Sequence, residues 1–206
     1  MTVETETGTI RLAEFVTGVA PPDTARTRAA AAFRDTAGVI LAGAVEPAAR
    51  MVRGLAGNTR GECRILGTLQ LAGPEEAALA NGVAAHALDY DDMCFVSLAH
   101  PSCVLVPAVL ATAELVRASG SAIIDAYVVG FELECRLGNV MNPRHYHQRG
   151  WHATSSIGTL GAAAAAARIL GLDIDQTRHA LGIAASSACG LKENLGTMVK
   201  PLHAGL

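Results

Sequence analysis

Apolar segments of helical length recur along this chain, and glycine or proline marks most of their ends. Within these segments the apolar residues fall at steps of three or four, which is the period of one face of an α-helix. Proline is favoured in a first helical turn and glycine just past a last one. Alanine is abundant and aromatic residues make up only 4% of the sequence, which favours helices packed closely over small side chains. The sequence therefore predicts an all-α helical bundle.

The same pattern predicts where the elements lie. Glycines interrupt it around a short segment near 63–70, where we expect one strand or a hairpin. The polar residues 1–9 are predicted to be a disordered leader, and residues 10–206 a single, incomplete helical domain. Helices are predicted at 10–18, 23–42, 74–90, 101–117, 123–138, 151–170 and 175–189.

Charge and cysteine usage exclude several classes of partner and location. The formal net charge is -3 and the basic residues are scattered, so no surface for nucleic acid or for an anionic membrane is expected. The longest apolar segment, 158–170, is mostly alanine and glycine, carries Arg168 and is too short for a membrane span. Five widely spaced cysteines without a C-x-x-C pair favour a reducing, cytoplasmic setting. We expect a small-molecule or protein partner.

An acidic cluster follows the helix predicted at 74–90. His86, Asp89 and Tyr90 are three and four residues apart, so a continuing helix would place them on one face. Aspartates at the negative end of a helix dipole are unfavourable unless something offsets them, which indicates a functional or capping role. The alternative is that Asp91 and Asp92 lie in a solvated loop and that Asp89 bonds a neighbouring backbone group.

Two further basic residues are candidates for anion binding. His100 precedes Pro101 at a predicted helix start, where exposed backbone N–H groups suit a bound anion; the alternative is a local cap. Lys200 is one of only two lysines, the other being Lys192, so lysine is not used here as a general solubilising residue. Its ammonium could pair with a substrate carboxylate or exchange a proton, and the alternative is an ordinary surface lysine.

Three of the seven histidines, His145, His147 and His152, fall close together. Their spacing of two and five residues differs from the helical H-E-x-x-H pair of zinc enzymes, so we predict no metal here, although metal binding is an alternative. Two other interpretations are that these histidines lie in a surface loop, or that one of them transfers a proton or binds a carboxylate.

Several strings, in this order, resemble the successive motifs of the MmgE/PrpD family: NGVAAHALDYDD (81–92), HPS (100–102), GWHAT (150–154), LGLD (170–173) and KPLHAG (200–205). The resemblance implies a helical domain that, in full-length relatives, continues further and is joined by a smaller α/β lid domain. We therefore expect this chain to be truncated and to lack the lid. The resemblance also implies a homodimer in the full-length form and no metal or organic cofactor.

By the same resemblance, Asp89, His100, His152 and Lys200 line the active site. Our hypothesis is that His100 and His152 bind carboxylates and exchange protons, that Lys200 offsets developing negative charge and that Asp89 orients a neighbouring base. The sequence departs from the family pattern in two places, both in a segment that would touch the substrate. Met93 stands where the decarboxylases of the family have threonine, and the stretch from Asp89 to His100 is one residue longer.

The function implied by the resemblance is a cofactor-independent lyase. It would dehydrate or decarboxylate a small di- or tricarboxylate such as 2-methylcitrate or cis-aconitate, and this length of chain would be inactive or incomplete. One alternative is a non-catalytic helical module or degenerate paralogue that associates with a partner chain. Another is a metal-dependent enzyme of terpenoid-synthase type, suggested by Asp91 and Asp92, but a carbocation pocket needs more aromatic lining than this chain offers.

Overall fold

The computed structural model describes residues 8–56 and 60–206. Within these residues a two-stranded antiparallel sheet, β1 (Cys63–Arg64) and β2 (Leu71–Ala72), accompanies nine α-helices. One π-helical turn (Arg144–Gln148) and one 3₁₀ turn (Lys192–Asn194) lie between helices. The helices are α1 (Gly8–Gly18), α2 (Asp23–Gly43), α3 (Pro47–Ala56), α4 (Pro74–His86), α5 (Ser102–Val116), α6 (Gly120–Met141), α7 (Ala153–Leu170), α8 (Ile174–Ser187) and α9 (Val199–Gly205).

The all-α prediction is confirmed, and the predicted strand or hairpin near 63–70 is the β1–β2 pair. Helix α1 begins at Gly8, two residues before the predicted start of the domain at Ile10, and residues 1–7 lie outside the described part of the chain. The helix predicted at 74–90 ends at His86, and neither α3 nor α9 was predicted.

Helix α5 lies at the centre of the bundle and is buried along most of its length. It packs against α4, α6 and α7. Helices α6 and α7 approach closely because glycines stand at their contact: a Cβ on Gly130 would lie 2.7 Å from the carbonyl oxygen of Gly161. Beside this contact Glu134 is fully buried, and burial, reinforced by the charge of Asp92, raises its pKa well above the usual range. The small residues predicted to allow close packing therefore do so at this interface.

Helices α4 and α9 are also in backbone contact. A Cβ on Gly82 would lie 2.8 Å from the carbonyl oxygen of Ala204, and one on Gly205 would lie 2.6 Å from that of Leu79. Any side chain at either glycine would separate the helices. This close approach brings Lys200, in α9, to the end of α4.

Polar side chains tie the remaining elements to the bundle. The guanidinium of Arg168, in α7, donates hydrogen bonds to the carbonyl oxygens of Val16, Thr17 and Val19 at the end of α1. The buried amide of Asn81, in α4, holds the β1 side of the hairpin: it donates to the carbonyl oxygen of Arg64 and accepts from the N–H of Leu66, both at 2.9 Å. Both contacts satisfy backbone groups that would otherwise lack partners. None of the helices in the described ranges is long and apolar enough to cross a membrane.

Candidate active site

A cavity of about 690 Å³ opens where the end of α4, the segment leading into α5, the start of α7 and α9 meet. Its size is typical of small-molecule sites, which span roughly 300–1,000 Å³. Asp89, His100, His152 and Lys200 all line it. Residues from four separate stretches of the sequence, chosen on motif resemblance alone, are thus brought to one concave surface.

The turn at Asp89 ends α4 and forms one wall of the cavity. Asp89 has φ of 57°, in the left-handed region, which terminates a right-handed helix and which aspartate tolerates better than most residues. The prediction that His86, Asp89 and Tyr90 share one helix face is therefore wrong. Instead His86 is buried, Asp89 lines the cavity and Tyr90 is 74% exposed.

The backbone on both sides of His100 is fixed. Cys94 and Ala99 exchange two backbone hydrogen bonds, and the N–H of His100 donates to Thr154 Oγ1 at 3.0 Å. The N–H of Ser102, the first residue of α5, donates to Asp92 Oδ1 at 3.0 Å. An aspartate, rather than a bound anion, therefore takes this backbone donor at the helix start, which differs from the sequence expectation.

The imidazole of His100 lies between two carboxylates. Its Nε2 is 3.7 Å from Asp89 Oδ1 and its Nδ1 is 3.4 Å from Asp91 Oδ2. On the other side, the ammonium of Lys200 forms an ion pair with Asp89. Burial raises the pKa of Asp89, but the Lys200 hydrogen bond and charge, with the nearby imidazoles, outweigh it and hold that pKa below the usual value. Asp89 is consequently ionised at neutral pH.

His152 begins α7 and forms the opposite wall. Burial, together with the charges of His86, His203 and Lys200, lowers the pKa of His152 to about 3. Its Nδ1 lies 3.1 Å from Nδ1 of the buried His203, so one ring donates and the other accepts. His152 is therefore a neutral imidazole at neutral pH, which can accept or relay a proton but supplies no positive charge.

Two residues of this region were absent from the predicted set. His86 is buried against Asp91, with Nδ1 2.7 Å from Oδ2, and both side chains are fully shielded from solvent. The interpretation of Asp91 and Asp92 as solvated loop residues is thus wrong: Asp91 is buried, and Asp92 accepts a 2.6 Å hydrogen bond from the Ser102 hydroxyl. The sequence feature that could have indicated this buried pair was a histidine five residues before an aspartate, next to a largely apolar segment.

The donor atoms of His86, Asp89, Asp91 and His100 lie within 4.8 Å of one another, close enough to hold a metal ion. However, the ammonium of Lys200 already contacts Asp89 and offsets charge that a cation would otherwise neutralise. The other histidines considered for a metal are not at the cavity: His145 is buried and bonds Ser156 at 2.6 Å, and His147 is exposed. The prediction that the site uses no metal stays a prediction.

Comparison with known proteins identifies the fold. The sequence pattern of the MmgE/PrpD N-terminal domain matches residues 10–206, which is nearly the whole chain. The chain belongs to the MmgE/PrpD family. This MmgE/PrpD chain is similar to cis-aconitate decarboxylase of Homo sapiens, at 39% identity over 64% of the chain and 28% of that protein.

Further relatives of this MmgE/PrpD chain carry the same name. It is 38% identical to cis-aconitate decarboxylase of Mus musculus over 64% of the chain and 28% of that protein. It is 35% identical to that of Aspergillus terreus over 70% of the chain and 31% of the relative. The alignments thus span less than a third of the length of these relatives. The cavity residues lie in the family's N-terminal domain, within the matched range.

Proposed function

We propose that this chain is the N-terminal domain of a cofactor-independent lyase that dehydrates or decarboxylates a small di- or tricarboxylate such as 2-methylcitrate or cis-aconitate. One observation carries the proposal: an aspartate, two imidazoles and an ammonium from four separate segments line one cavity of substrate size. The family membership and the decarboxylases among the relatives support it.

The residue types suit the chemistry. Loss of carbon dioxide leaves an electron pair on carbon that must be protonated, whereas loss of water requires a proton taken from carbon and one given to the leaving hydroxyl. In the proposed roles, the Lys200 ammonium binds a carboxylate and offsets the developing negative charge. His100 and His152 exchange the protons, and Asp89 keeps Lys200 and His100 in place. A bound polyanion would raise the pKa of His152 from its value of about 3.

The charge of the cavity sets a limit on affinity. Apart from imidazoles, its charged lining residues in the described chain are Glu46, Asp89 and Lys200, which is two carboxylates against one ammonium. A substrate with two or three carboxylates therefore meets little net positive charge, and tight binding needs further cations. We propose that the remainder of a longer protein supplies them, as a lid domain would.

The test is turnover by the polypeptide, followed with cis-aconitate as release of carbon dioxide and with 2-methylcitrate as formation of the alkene. Where either substrate is consumed, His152→Ala should lower kcat by roughly 10²-fold or more if His152 transfers a proton. His179→Ala is the matched control, because His179 is exposed on α8 and away from the cavity. An unchanged rate in His152→Ala would refute the proton-transfer role.

A second candidate is a non-catalytic helical module, or a degenerate paralogue, that associates with a partner chain. The shortage of positive charge in the cavity favours it. Two results together would support this candidate over the lyase. The folded chain would show neither turnover nor saturable polycarboxylate binding, and its mass in size-exclusion chromatography would increase once a partner is added.

Two expectations from the sequence remain proposals. We propose a homodimer for the full-length form, to be checked by light scattering of that form. The odd number and wide spacing of the cysteines support a cytoplasmic location, which fractionation of the source cells would test.

A further inference from the structure

Four imidazoles stand in a row at the cavity, and three of them, His86, His100 and His152, are among its lining residues. Ring centroids are separated by 4.9 Å between His100 and His86, by 5.8 Å between His86 and His152 and by 5.3 Å between His152 and His203. His86 lies inside the row and its side chain is fully shielded from solvent. Although His86 belongs to the cavity lining, its side chain has no exposed surface, so we treat it as acting on a ligand through the neighbouring rings.

Asp91 lies behind this row and touches two of its members. Its Oδ2 is 2.7 Å from Nδ1 of His86 and 3.4 Å from Nδ1 of His100. Burial, the largest influence, raises the pKa of Asp91, but the His86 hydrogen bond and the charges of both imidazoles together bring it below its usual value. Asp91 is thus a buried carboxylate, and a carboxylate only accepts hydrogen bonds.

The acceptor fixes where the ring protons sit. His86 must carry its proton on Nδ1 to donate to Asp91. Nδ1 of His100 is buried, has no hydrogen-bond partner in the described chain and lies 3.4 Å from the same oxygen. The negative charge of Asp91 at that distance favours a proton on this nitrogen as well. Asp89 lies 3.7 Å from the opposite nitrogen, but its charge is offset by Lys200, whereas Asp91 has no such cation. Nε2 of His100 is then left without a proton on the cavity side.

We propose that Asp91 and His86 are positioning residues that hold His100 as its Nδ1–H tautomer, with Nε2 presented to the cavity as the proton acceptor. Asp91 sets the tautomer, and the ring of His86, which meets the His100 ring edge-on at 61°, fixes the orientation of that ring. The chemical consequence rests on the proposed function, but the tautomer itself does not. An equivalent use of a buried aspartate to select a histidine tautomer is known in serine proteases.

The first test is spectroscopic and needs no substrate. Long-range proton–nitrogen correlation spectra of the ¹⁵N-labelled chain report the tautomer of each imidazole, and both His86 and His100 should carry the proton on Nδ1. In Asp91→Asn, which keeps the side-chain shape but removes the charge, the His100 signals should move towards the Nε2–H form. Asp35→Asn, an exposed aspartate on α2, should leave both rings unchanged. A parent His100 protonated on Nε2, or identical spectra in Asp91→Asn, overturns the proposal.

A titration with Zn²⁺ tests the competing use of the same atoms. The proposal expects the His86 and His100 signals to persist, because Nδ1–H of His86 already donates to Asp91 and the ammonium of Lys200 already pairs with Asp89. Stoichiometric Zn²⁺ binding that removes the Nδ1 proton of His86 would instead make this cluster a metal site and overturn the proposal.

The last test connects the tautomer to turnover. If the polypeptide consumes cis-aconitate, Asp91→Asn should lower kcat by roughly 10²-fold or more while KM stays within about twofold. A rise in KM at constant kcat would contradict a role in proton transfer. If no substrate is consumed, the lyase proposal fails, and the spectra decide the tautomer independently.

Discussion

The contact between α4 and α9 allows a sharp test of how the cavity is held together. Replacing Gly82 by alanine introduces a Cβ that would lie 2.8 Å from both the carbonyl oxygen of Ala204 and the Cα of Gly205, well inside van der Waals contact. Both neighbours are backbone atoms, so no side chain can rotate away and α9 itself must move. Overpacking of this kind costs about 1–3 kcal/mol.

Gly38→Ala is the matched control, because Gly38 lies within α2 and a Cβ there would meet nothing within 4 Å. Both substitutions gain the same helix propensity, up to about 1 kcal/mol, so their difference isolates the steric cost. For a chain of this size 1 kcal/mol corresponds to about 2–4 °C in Tm, so Gly82→Ala should melt about 2–12 °C below Gly38→Ala in circular dichroism. Equal melting temperatures would refute the backbone contact, and with it the way Lys200 reaches Asp89.

Two other predictions concern stability. Folding lowers the pKa of His152 from 6.5 to about 3, so between these two pH values the unfolded chain binds a proton at His152 that the folded chain does not. The contribution of His152 to stability is therefore fully present above about pH 6.5 and is lost as the pH falls towards 3. In urea unfolding, His152→Asn should therefore lose less stability than the parent between pH 7 and pH 4.5, whereas His179→Asn should lose as much as the parent. If the free energy of unfolding depends on pH in the same way for all three proteins, the lowered pKa of His152 is contradicted. Arg168→Met removes the donors to three carbonyl oxygens at the end of α1 and should lower the free energy of unfolding by about 1–3 kcal/mol. The control Arg11→Met, at an exposed arginine, should lower it by less than about 0.5 kcal/mol. Equal urea midpoints for the two variants would show that water replaces the guanidinium.

Helices with a clear apolar period and glycine or proline at their ends could be predicted from sequence. Those that failed are short. Helix α3 has ten residues, of which only a few are apolar side chains larger than alanine. Helix α9 has seven residues and contains Pro201, which suggested a turn although proline is compatible with a first helical turn. Their stability comes from packing against α4, which no local pattern displays.

The motifs select four residues that line one cavity, but they do not give the geometry of that cavity. The order of motifs was sufficient to select the four cavity residues, because motifs record residue types at fixed spacing. The contact between His86 and Asp91 depends on the left-handed backbone at Asp89, which turns the chain back on α4. A helix continued to Tyr90, as predicted, would have carried Asp91 away from His86, so the alternative that Asp91 lies in a solvated loop stayed open.

The pairing of Lys200 with Asp89 has a consequence for synthesis. The two residues are separated by 111 positions, and α9 is the last of the described helices. On the ribosome α4 emerges long before α9. The groove at Gly82 and the carboxylate of Asp89 therefore lack their α9 contacts while over a hundred further residues are added. The bundle can condense during that interval, but the cavity lining is completed only when α9 has left the exit tunnel.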